Sequence, residues 1–155
     1  MRTVHSVAPY GSPIWARRLA KDKKSFRQMR QAQRDSVLRL ARTYRTVSHA
    51  ADTVLAGTPP IDLLAAGYAQ VYRQLKARGI VRTAGTVEPI RQEVRRWVVE
   101  HWKTRLHESG IAGSWTIEAI RSCLEEWLGR VHGGLSFRLV QVLTGHGSFG
   151  IGHKY

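Results

Sequence analysis

The stretch from Ser48 to Pro60 constrains this chain more than any other, because it dictates where one helix stops and the next begins. Ser48 precedes a short apolar run ending at Ala56, and its hydroxyl can accept from an orphaned backbone N–H. Gly57 suits the left-handed position that ends a helix. Thr58-Pro59-Pro60 restarts one, since proline is tolerated where N–H groups lack an intrahelical partner and Asp62 favours the positive end of the dipole. The next helix carries Ile61, Leu64, Tyr68, Val71 and Leu75 on its seam as far as Gly79.

Periodicity on either side of this elbow is also helical. From Ser25 to Arg45, at about 100° per residue, Phe26, Met29, Val37, Leu40, Ala41 and Tyr44 share one face. Arg27, Arg34, Arg42 and Arg45 gather on its flank, Arg39 lies further round, and Arg30 intrudes on the apolar side. An apolar stripe bordered by arginines can pack with one side and meet phosphates with the other; a merely solvated charged face has the same pattern. Residues 80–86 read as a linker. A further helix starts at Glu88 or Pro89 and runs to His107, with Ile90, Val94, Trp97, Val98 and His101 as its seam. Another runs from Thr116 to Arg130, capped by Ser114 or Thr116, with Ile117, Ile120, Leu124, Trp127, Leu128 and Val131 on one face. Residues 136–143 allow helix or strand, and the helical context favours helix. The predicted fold is mainly α, an irregular array of about five to six helices with a Gly-rich C-terminal tail.

Charge narrows the partners. The 25 Lys and Arg against 11 Asp and Glu give +14 over 155 residues. Residues 1–50 hold 12 basic and 2 acidic side chains, hence +10, and the remainder only +4. Such asymmetry points to a polyanion met mainly by the N-terminal part, whether RNA, DNA or an anionic surface. No run approaches the roughly 18 apolar residues of a membrane span, so no membrane partner is expected. The single Cys123 excludes an internal disulfide and suits a reducing, intracellular setting.

Catalytic chemistry is poorly represented. The seven histidines are scattered, His101 and His107 fall on different helix faces, and one cysteine cannot build a thiolate zinc site. Glu125 and Glu126 point about 100° apart and cannot act as paired carboxylates. Gly145-His-Gly147 lacks the Lys and Ser or Thr of a phosphate loop. No cofactor, metal or small-molecule ligand is expected. Of the tryptophans, Trp97 and Trp127 lie on apolar seams and read as core, while Trp102 lies off the seam and is the better candidate for base stacking.

Several motifs carry a resemblance. Tyr10-Gly-Ser-Pro-Ile-Trp15-Ala, Ala41-Arg-Thr-Tyr-Arg-Thr-Val-Ser48 and Val54-Leu-Ala-Gly-Thr-Pro-Pro-Ile-Asp-Leu63 resemble the region after the polymerase active site in reverse transcriptases of animal non-long-terminal-repeat, jockey-like retrotransposons. Glu125-Glu-Trp-Leu128, Arg130-Val-His-Gly133 and Leu143-Thr-Gly-His-Gly147 resemble its closing segments, in the same order. The resemblance implies a thumb-like region over residues 1–79 and a helical linker over 80–155, ending before a zinc knuckle, with several hundred residues preceding Met1 in the parent protein. It implies no catalysis by this segment. The four aspartates, Asp22, Asp35, Asp52 and Asp62, are dispersed, and none forms the Asp-Asp pair of the polymerase motif. Ser148 stands where many relatives carry Cys.

The expected function is therefore to grip template–primer RNA and DNA beside the remainder of an RNA-directed DNA polymerase, in nucleus or cytoplasm. The candidate binding residues are Lys21, Lys23, Lys24, Arg27, Arg34, Arg39, Arg42 and Arg45. The alternatives are a free-standing basic module that docks on an acidic protein, and a decayed remnant.

Overall fold

In a computed structural model, described for residues 11–19, 21–79, 83–108, 110–130 and 134–145, the chain is mainly helical. The helices among the described residues are α1 Ser12–Leu19, α2 Lys23–Ala41, α3 His49–Ala56, α4 Ile61–Ala77, α5 Ala84–Leu106, α6 Ser114–Arg121, α7 Leu124–Gly129 and α8 Phe137–Thr144. These eight exceed the expected five to six because α1 forms and the helix expected over 116–130 breaks at Ser122–Cys123. The helices fall into two compact units interleaved along the chain. One joins residues up to 35 with 59–108, and the other joins 36–58 with those after 108, so the boundary expected at 79/80 falls inside the first unit.

In the first unit α4 packs against α1 and α5. The buried side of α5 is a single ridge of residues four apart, Ile90, Val94, Val98, Trp102 and Leu106. Trp102 is 1% exposed. It is therefore core and not a stacking platform, whereas Trp97, expected in the core, is half-buried with its ring 4.1 Å from that of His101. On α4 the buried residues are Ile61, Leu63, Ala65, Gly67 and Leu75, while Tyr68 of the expected seam is exposed. The reason is close approach. A Cβ at Gly67 would lie 2.9 Å from Val98 Cγ2 and 3.3 Å from Val94 Cγ1, so the two helices meet where α4 has no side chain. Arg105 donates to both carboxylate oxygens of Asp62, at 3.1 and 2.8 Å, fixing the two helices in register.

The starts of α5 and α4 differ from expectation. Helix α5 begins at Ala84, since Thr83 and Thr86 form a reciprocal capping box; Pro89 sits inside the helix, one turn beyond Gly85. The start of α4 has no side-chain cap of its own, because Pro60 occupies the N-cap position. Gln33 of α2 supplies it. Its side chain, 4% exposed, accepts from Ile61 N at 2.9 Å and donates to Pro59 O at 2.7 Å.

In the second unit α3 packs on α6, and α6 also contacts α7 and α8. The elbow forms as the sequence requires: Ser48 accepts from Ala51 N, and Gly57 takes φ 62°. All four C-terminal carbonyls of α3 find donors. Thr53 O takes Thr58 N, Val54 O takes the Trp127 indole at 2.9 Å, Leu55 O takes the Arg130 guanidinium at 3.3 Å, and Ala56 O takes the Thr58 hydroxyl. Burial lowers the pKa of Arg130 from its ordinary value, and its guanidinium lies 3.7 Å over the Trp127 ring. Thr116 does not cap α6. Its buried hydroxyl donates to Leu143 O at 2.7 Å, tying α6 to α8, and α6 instead starts after Gly113 at φ 89°. The segment open between helix and strand is helix α8, capped by Ser136 and closed by Gly145 at φ 71°.

Candidate nucleic-acid interface

The cationic side chains of the first unit are positioned by the start of α2. The carboxylate of Asp22 accepts from Lys24 N at 3.0 Å, Ser25 N at 3.3 Å and the Ser25 hydroxyl, which caps the helix two residues earlier than the sequence pattern implied. The Ser25 hydrogen bonds, side chain first, hold the Asp22 carboxyl below its ordinary value. The cap places Lys21, Lys23 and Lys24 at the helix entrance, all exposed.

Beyond them, no residue from Lys23 to Ala32 is buried, so this half of α2 presents its surface to solvent. At about 100° per residue, Lys23, Arg27, Arg30 and Arg34 fall within about 60° of one another. Arg27 and Arg30 are exposed, and Arg34 is half-buried. Sequence reasoning set Arg30 aside as an intrusion on an apolar face. That face is only half-buried so far back, at Phe26 and Met29, and the fully buried residues of α2, Gln33, Val37 and Ala41, all lie in its second half.

The second unit contains Arg39, Arg42 and Arg45, and here the expected helical flank is not continuous. Helix α2 ends at Ala41, not Arg45, and Arg42 adopts φ 54°. Thr43 N donates to Leu38 O at 3.2 Å, the six-to-one bond of a Schellman turn with Arg42 in the left-handed position usually taken by glycine. Arg42 and Arg45 therefore leave α2 and lie in a loop. That loop is anchored: Val47 is 5% exposed and donates its N–H to Tyr44 O at 3.0 Å. The Tyr44 ring meets Phe137 edge-on at 6.0 Å, and its hydroxyl accepts from Gln141 at 3.3 Å. All three arginines are exposed.

Elsewhere four arginines are engaged locally, while Arg78, Arg95, Arg96 and Arg138 are exposed like those of α2. Arg105 pairs with Asp62, Arg121 with Glu118 and Arg91 with Glu88, and Arg130 caps α3. Glu125 and Glu126 are exposed in the first turn of α7, and the half-buried Cys123 thiol donates to Ile120 O. Among the described residues no group of three or more His, Cys, Asp or Glu comes together as a metal site, and no helix is long and apolar enough to cross a membrane. The expectations placed on His146, Ser148 and the glycine-rich tail beyond Gly145, like those on residues 1–10, lie outside the described residues. The tryptophan most open to solvent is Trp115, 70% exposed at the start of α6, a residue that helical periodicity does not single out. No described protein family, curated protein or solved structure matches the chain.

Proposed function

We propose that this chain is a non-catalytic, nucleic-acid-gripping segment of a retrotransposon reverse transcriptase, holding template–primer duplex for a polymerase centre supplied by the rest of that protein. The observation that carries the reading is the exposed cationic stripe Lys23, Arg27 and Arg30 on the half of α2 that has no fully buried residue. Cations at one-turn spacing on an open helix suit successive backbone phosphates, which position a duplex without reading its sequence. The family resemblance of the motifs adds the polymerase context, with its nuclear or cytoplasmic setting. Replacing Lys23, Arg27 and Arg30 together by glutamine should weaken binding to an RNA–DNA hybrid of any sequence and reduce the salt slope of log K by about 2–3. Unchanged affinity would refute the assignment.

A second reading is a free-standing module that docks on an acidic protein through its basic face, using the same exposed Lys23, Arg27 and Arg30. A protein partner would bind with fixed stoichiometry and a shallow salt dependence. The remaining reading, a decayed remnant, predicts no cooperative unfolding.

A further inference from the structure

We infer that Arg42 is a fixed phosphate contact, retained at a conformational cost that the chain avoids elsewhere; the inference rests on the nucleic-acid reading above. Among the described residues, six have positive φ in the left-handed region, and the other five are glycines: Gly57, Gly79, Gly110, Gly113 and Gly145. A side chain with a Cβ is disfavoured there by crowding against the following carbonyl. An arginine kept in such a place needs a reason in its side chain.

The local structural reasons fail. Arg130 shows what an arginine does when it serves a helix end, donating to Trp127 O and Leu55 O. The Arg42 guanidinium makes no hydrogen bond or ion pair with the described residues, and Arg42 is exposed. Among the described residues it caps no helix end and has no carboxylate partner.

The loop that carries it is built to hold position. Tyr44 is pinned to α8 through Phe137 and Gln141, and the buried Val47 closes the turn. The left-handed turn sends the chain out of α2 and fixes the backbone from which Arg42 projects. Exposed Arg39 one turn back in α2 adds a second cation without an ion-pair partner among the described residues. Presenting a guanidinium from a fixed loop reduces the ordering cost of a phosphate contact.

The test compares the wild-type chain with Arg42→Gly and Arg42→Lys, measuring thermal midpoint and affinity for a short RNA–DNA hybrid. Arg42→Gly should raise the midpoint by about 2–4 °C, weaken hybrid binding about tenfold and lower the salt slope by about 0.7–0.9. Arg42→Lys should leave both the slope and the midpoint near the wild-type values. Hybrid binding that survives Arg42→Gly unchanged overturns the inference while leaving the nucleic-acid reading intact. A midpoint that falls on Arg42→Gly overturns the premise of conformational cost. A wild-type chain that ignores the hybrid overturns the functional reading itself, and this inference with it.

Discussion

Replacing Gln33 by leucine keeps side-chain volume and helix propensity nearly constant while removing both halves of the cap on α4. The Ile61 N–H is buried and has Gln33 Oε1 as its acceptor at 2.9 Å; Pro59 O loses a donor at 2.7 Å in a partly buried position. A buried donor left unsatisfied costs about 1–3 kcal/mol, and the second bond adds about 0.5–1.5 kcal/mol. Leucine returns some of this by placing apolar atoms in a buried site, about 1–2 kcal/mol. These ranges combine to a net loss centred on about 1.5 kcal/mol, or about 3–6 °C in thermal midpoint for a domain of this size. Denaturant unfolding followed by circular dichroism gives the global figure, and amide hydrogen exchange at Ile61 and Asp62 locates it. A midpoint unchanged within a degree, with Ile61 protection intact, would refute the assignment of Gln33 as the cap.

Three further outcomes follow from the packing and the caps. Gly67→Ala gains about 1 kcal/mol of helix propensity but forces a Cβ to 2.9 Å from Val98 Cγ2, a strain of about 1–3 kcal/mol, so it should destabilise by up to about 2 kcal/mol and be rescued by pairing it with Val98→Ala in a double-mutant cycle. Trp127→Phe removes the indole donor to Val54 O and should cost about 1–3 kcal/mol, read as faster exchange at the end of α3. Because hydrogen bonds hold the Asp22 carboxyl below its ordinary 3.8, its contribution to the start of α2 is present above that value and is lost as pH falls through the lower folded value. Exchange of the Lys24 and Ser25 amides should quicken in that window, and Asp22→Ala should abolish the pH step.

What the sequence made legible was local. The elbow was readable because Ser48, Gly57 and the two prolines act through their own backbone. The helical content followed from apolar periodicity. The misreadings arose where a distant partner decides the outcome. Periodicity put Tyr68 on the seam of α4, but contact with α1 and α5 buries the small residues Ala65 and Gly67, which a hydrophobicity pattern discounts. Trp102 looked peripheral because the seam of α5 was centred one residue off; stepping by four from Ile90 reaches it. Thr116 read as a cap and serves as a cross-link, since nothing local reveals Leu143 O as its acceptor. In the candidate interface, three of the five arginines expected on the helix, Arg27, Arg34 and Arg39, lie on α2. Arg42 and Arg45 do not, because a left-handed arginine has no sequence signature.

The most direct test of the account is a salt titration of the purified chain binding a short labelled RNA–DNA hybrid, after circular dichroism has established helix. The account predicts binding that is indifferent to sequence and weakens steeply with salt, log K falling by about 0.7–0.9 per phosphate neutralised for each decade of salt. A folded, helical chain whose binding to the hybrid is absent, or does not change with salt, would contradict it.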